Sequence, residues 1–273
     1  MLFRKVLLLV SLAAPLSVPA PALAQQKEIN PFAPTPNHLR RYTECMKLAR
    51  QEPLKALPVA EKWMAEGGEL GARHCVAIAM FEAGRYVPAA RQLEAMERDM
   101  GSERPGLRAE LLAQAGQAWT EANQPEEAAK VQSKALTLKT DDPDLWVDRG
   151  LSYAALRQWP RAISDFERSL ELKAGNVETR VLLAAAWRNA GDPTRALAEA
   201  DRALRSAPDH SGALLEHGFA LLARGEQMAA NDDFKKVMKL VPGTAEAKRA
   251  EAGLRGELPI TPAASRPEAS PKR

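Results

Sequence analysis

The chain is poor in the residues that carry most chemistry. Aromatics make up only 5% of its 273 residues, and histidine occurs four times, at His38, His74, His210 and His217. No histidine pair has the HExxH context or the i, i+4 spacing of a zinc site, and no G-x-S-x-G or phosphate-loop motif occurs. His74 beside Cys75 invites a metal or redox reading, but adjacent positions on a helix point about 100° apart. The carboxylates are numerous yet scattered, as Glu94/Glu97 and Glu126/Glu127 show, which is the habit of a solvated helix face. No metal or cofactor is expected. A hydrolase with a dispersed active site is the remote alternative to a non-enzymatic protein.

Charge of one sign is also lacking. Lys+Arg number 38 against 35 Asp+Glu, with no long basic stripe. Nucleic-acid binding needs a concentrated cationic footprint, so it is excluded as an expectation. Long apolar runs are missing after the N-terminus, so no later segment could span a bilayer.

The N-terminus is different. Arg4 and Lys5 precede an apolar run from Val6 to Ala14, followed by prolines and then Ala22-Leu23-Ala24. This order predicts a secretory signal, residues 1–24, cut after Ala24. The alternative, an uncleaved anchor, is opposed by Pro15, Pro19 and Pro21, which interrupt the stretch. Cleavage would leave 36 cations against 35 anions. A periplasmic or secreted location follows. In such a compartment the only two cysteines, Cys45 and Cys75, predict one disulfide, with two buried free thiols as the alternative.

What is present in quantity is alanine, the best helix former, and a period. Stepping by 34 residues, Gly150 maps to Gly116, Ala184 and Gly218, and Ala162 maps to Ala128, Ala196 and Ala230. Phe166 maps to Gln132, Ala200 and Phe234. Four windows run without an inserted residue: 109–142, 143–176, 177–210 and 211–244. Each predicts two amphipathic helices. In the window from Pro143 the first runs from about Asp144 to Leu156, with Asp142 as N-cap and Pro143 at N1, and the second starts near Pro160. Gly191 and Gly225 sit where a helix ends in a left-handed residue. Small residues at Gly150, Ala184 and Gly218 are expected to face Tyr153, Trp187 and Phe234.

These windows resemble the tetratricopeptide repeat, with Trp146, Gly150, Tyr153, Ala162 and Phe166 in matching places of the Pro143 window. Arg149 and His217 depart from it, standing where leucine is usual. The resemblance implies an all-α, right-handed α-solenoid of stacked antiparallel helix pairs, about six hairpins plus a C-terminal capping helix. Upstream, residues 37–103 read as two diverged hairpins, the second a window from Leu70 to Glu103 followed by a break at residues 104–108. Cys45 and Cys75 fall on the first helices of these two hairpins. Residues 25–36 read as a linker, 245–256 as the cap and 257–273 as a disordered tail.

The resemblance also implies where a partner binds. In the family, ligand contacts come from the second, fifth, ninth and twelfth places of each window, on the concave face. Here these are Glu110, Ala113, Gln117 and Thr120; Asp144, Val147, Leu151 and Ala154; Glu178, Val181, Ala185 and Arg188; then Gly212, Leu215, Phe219 and Leu222. The lining turns apolar toward the C-terminus, and the expected protein-binding groove is Val147, Leu151, Val181, Ala185, Arg188, Leu215, Phe219 and Leu222. The basic clamp that some relatives use for a peptide carboxylate is disfavoured, because Val147, Leu151, Leu182 and Gly212 occupy its places. The expected function is an envelope adaptor that holds a peptide or helix of another protein. The alternative is a self-association module forming homo-oligomers on the same apolar surface.

Overall fold

A computed structural model describes residues 30–257, which fold into thirteen α-helices with no strand among the described residues. The predicted signal segment and all but the first residue of the predicted tail lie outside the described residues. The helices pair in chain order: α1 (Pro36–Gln51) with α2 (Pro53–Ala65), α3 (Glu69–Glu82) with α4 (Tyr86–Asp99), and α5 (Pro105–Glu121) with α6 (Pro125–Leu138). Three more pairs follow: α7 (Pro143–Ala155) and α8 (Trp159–Leu172), α9 (Val177–Asn189) and α10 (Pro193–Ser206), α11 (Ser211–Ala223) and α12 (Gln227–Leu240). A single helix, α13 (Ala245–Leu254), ends the array. Each helix packs on the next. First helices of neighbouring hairpins also touch, as α1 on α3 and α9 on α11 do. This is a solenoid, held together by contacts between neighbours alone.

The ends of these helices are written locally. Proline stands in the first turn of α5, α6, α7, α8 and α10, where no N–H is needed. The Asp142 side chain caps α7 through the Asp144 N–H, Asn176 caps α9, and Asp192 caps α10. Place fifteen of every window adopts the left-handed conformation: Gly84, Gly191 and Gly225, but also Asn123 (φ 55) and Arg157 (φ 56). The turn geometry is thus kept even where glycine is replaced.

The core forms between paired helices. A Cβ on Gly150 would stand 2.6 Å from the Phe166 ring, and one on Gly218 would stand 2.7 Å from Phe234. Places eight and twenty-four are therefore complementary in size. The third such glycine, Gly116, lies against Gln132, whose amide oxygen accepts from the Ser152 hydroxyl at 2.8 Å. Tyr153 and Trp187 do not fill these niches as expected. They lie partly exposed under guanidinium groups, Arg161 at 5.4 Å and Arg195 at 4.4 Å, in cation–π contact.

Two expectations need correction. Residues 105–108 are no break but the first turn of α5. Of the predicted linker 25–36, residues 25–29 lie outside the described residues, and residues 30–36 are no free linker, because Phe32 and Ala33 are buried and Pro36 already opens α1. The cysteines behave as expected: Cys45 of α1 and Cys75 of α3 form a disulfide, with Cα atoms 6.2 Å apart. Closing a loop of 30 residues stabilises by about 3.5 kcal/mol in the chain-entropy description. That crosslink sits in the least regular part of the array.

Candidate interaction groove

The first helices carry the surface that a partner would meet. Groove places touch across windows: a Cβ on Gly212 would lie 3.4 Å from Val181, so place two of one window borders place five of the window before. His210, the last residue of that earlier window, meets Glu178 Oε1 through Nε2 at 2.8 Å. Val147, Leu151, Val181, Ala185 and Leu222 are all partly exposed, so the middle of the face is apolar and open. Glu110 and Thr120, in the preceding window, are exposed and Gln117 partly so, which makes that end more polar.

At the C-terminal end the structure departs from the expectation. Leu215 is 1% exposed and Phe219 0%, so neither lines an open groove. Phe219 lies between two guanidinium groups, Arg188 from α9 and Arg249 from α13, each 5.5 Å from the ring centroid. Glu216 joins the two, accepting from Arg188 Nε at 2.9 Å and from Arg249 at 2.9 Å. Burial alone would raise the Glu216 pKa, but the two arginines outweigh it and hold the carboxyl below its ordinary range. Arg188 is therefore a packed structural cation with a side chain only 6% exposed, not a free groove residue. Its partner Arg249 comes from the capping helix, which a reading of place numbers alone does not bring to this site.

The two departures from the repeat pattern have one explanation. Arg149 and His217 both stand at place seven, and in both windows place twenty-three is an aspartate. Arg149 grips Asp165 with two hydrogen bonds of 2.8 Å, and His217 Nδ1 meets Asp233 at 2.6 Å with Asp201 at 3.3 Å on the other side. A buried leucine contact is replaced by a buried or half-buried ion pair. Burial lowers the His217 pKa, but the hydrogen bond and charge of Asp233, with Asp201, raise it above 6.5 overall.

The N-terminal end of the same face holds His74, which sequence reasoning weighed only as a metal or redox neighbour of Cys75. His74 occupies place five of its window. Its Nδ1 meets the Tyr42 hydroxyl at 2.8 Å and its Nε2 meets Gln114 Oε1 at 2.7 Å. The Phe32 ring lies flat on it, with centroids 4.1 Å apart and planes 12° apart. Burial pushes the Tyr42 hydroxyl up to about 12, and burial lowers the His74 pKa against the opposing hydrogen bond from Gln114. The one available signal was that place five of this window is a histidine. Among the described residues no group of three or more His, Cys, Asp or Glu side chains is placed to hold a metal, and no helix is long and apolar enough to cross a membrane.

No protein-family model matches the chain, and no curated protein matches it. Solved structures do. A fragment of MamA from Desulfovibrio magneticus RS-1, residue 41 to the end, superposes with a TM-score of 0.56 at 19% identity, over 62% of this chain and 92% of that one. Another MamA structure gives 0.55 at 17% identity, over 70% and 96%. YrrB, described as a TPR protein with an unusual peptide-binding site, gives 0.53 at 17% identity, over 77% and 97%. At such identities the likeness concerns the fold, and the fold that this chain shares with them is the tetratricopeptide solenoid.

Proposed function

We propose that the chain is a non-enzymatic protein-interaction scaffold that holds a peptide or helix of an envelope protein in its concave groove. The observation that carries this reading is the set of partly exposed apolar residues Val147, Leu151, Val181, Ala185 and Leu222 on first helices that no further helix covers among the described residues. Apolar surface of this kind is retained on a folded protein when a partner covers it. YrrB, of the same fold, is named for a peptide-binding site. The Cys45–Cys75 disulfide is compatible with export to an oxidising compartment, and N-terminal sequencing of the exported protein should begin at Gln25. The groove is tested by Leu151→Glu with Val181→Glu, at positions that are already partly exposed. The double variant should keep its far-UV circular dichroism and lose the partners that the unaltered chain retains in a crosslinked envelope extract. Undiminished capture of the same partners would overturn the reading.

Self-association is the second reading, and one observation favours it. The first hairpin leaves Leu39, Leu54, Val59 and Met64 exposed by 43–71%. Light scattering at working concentration decides it, since a monomer there rules the reading out.

A further inference from the structure

Before α1 the chain makes a short turn that lies on the groove. The Phe32 N–H donates to Asn30 Oδ1 and the Ala33 N–H to the Asn30 carbonyl, both at 2.9 Å. The two hydrogen bonds that shape this turn are internal to it. Its hold on the helices comes from Phe32, whose ring is stacked on His74 and lies parallel to Tyr42 at 5.6 Å. The Phe32 backbone also presses on Gly71, where a Cβ would collide with its carbonyl oxygen. Gly71 and His74 are places two and five of their window, the places at which this architecture meets its ligands. The missing side chain at Gly71 admits a backbone, and the flat face of His74, fixed by Tyr42 and Gln114, admits a ring. An open depression of about 430 Å³ continues from this slot along α1, lined by Tyr42, Met46, Lys47 and Arg50 among others.

We propose that this slot is a peptide-recognition site for an aromatic side chain carried on an extended segment with an acidic residue beside it, and that Phe32 is a resident occupant which the partner must displace. The proposal rests on the groove reading above and deepens it at the N-terminal end. The aromatic requirement comes from His74 and the acidic one from Lys47 and Arg50. The turn is the chain's own example of what the slot accepts.

The probe is a fluorescein-labelled peptide copying residues 27–36, whose sequence KEINPFAPTP carries both a phenylalanine and a glutamate. The mature chain with Phe32→Ala should bind it at least about tenfold more tightly than the unaltered chain, the factor expected if the slot is free in under a tenth of molecules. His74→Ala on that background should abolish the gain, and a probe with alanine for phenylalanine should not bind. Equal binding by the two chains overturns the proposal. Hydrogen exchange on the unaltered chain supplies the second measurement. Excess peptide should speed exchange at the Phe32 and Ala33 amides while α3 and α5 stay protected. If these amides exchange only with global unfolding, or if Phe32→Ala abolishes cooperative unfolding, Phe32 is a permanent part of the core and the proposal fails. Failure here, while Leu151→Glu with Val181→Glu still loses its partners, leaves the groove reading standing. Undiminished capture of partners by that double variant would bring down both.

Discussion

At the scale of single residues, the repeat tolerates change where a second residue changes with it. Arg149 is a cation where leucine is usual, and it is stable there because Asp165, 4% exposed, accepts two of its three hydrogen bonds and the Ser133 hydroxyl the third. Removing one member of such a pair leaves an uncompensated charge in the interior. Asp165→Ala should therefore cost about 3 kcal/mol in urea unfolding. Arg149→Leu combined with Asp165→Val, as apolar as Ala115 and Val131 at the same places of the preceding window, should recover most of it. If the double variant were no more stable than Asp165→Ala, the pair would not be the reason for the departure. Read alone, Arg149 looked like a flaw in the repeat. Its partner lies 16 residues away on the other helix of the hairpin, so the match shows only when places seven and twenty-three are read together. Periodicity located the glycine niches and gave Phe234 for Gly218, but not Phe166 for Gly150, because Phe166 and Tyr153 are both rings of suitable size.

At the scale of elements, the helix pairs and the capping helix were legible because their caps and periods are local, whereas the side-chain contacts at the two ends of the array were not. Solenoid ends meet no neighbouring repeat, so their contacts follow no period. The cap α13 docks where Gly253 admits the far edge of the Phe234 ring, and Gly218 admits its near edge. Phe234 is fully buried and cannot yield. Gly253→Val should thus lift α13, lower stability by about 2 kcal/mol and expose Phe219 to solvent. Unchanged melting and unchanged exchange protection in α11 would show that the cap is not docked this way. The pairing of α11 with α10 and α12 depends on pH through His217. Its pKa is raised on folding, so its contribution is fully present below the ordinary value of 6.5 and is lost as pH rises through the raised value. His217→Gln should flatten the fall in stability above pH 6.5, measured by denaturant unfolding across pH 6–9. An unaltered slope would place the titration elsewhere.

At the scale of the whole molecule, two features divide the groove into regions. The N-terminal segment fills it at His74, and the cap helix closes it at Phe219, leaving the strip from Val147 to Ala185 and Leu222 open between them. The family pattern foretold the face but not its occupancy, because both covers come from outside the four regular windows. For the same reason Phe219, which place counting puts in the groove, would lose its fold rather than its partner if made charged. On the proposed reading, the partner's chemistry is carried by groove places that the repeat leaves free to vary. The most direct measurement is photo-crosslinking from single benzoylphenylalanine substitutions in the native envelope. Positions 147 and 181 in the groove should each give a crosslinked partner, and positions 205 and 235, exposed on the second helices α10 and α12, should give none. Crosslinks from 205 and 235 with none from 147 and 181 would contradict the account.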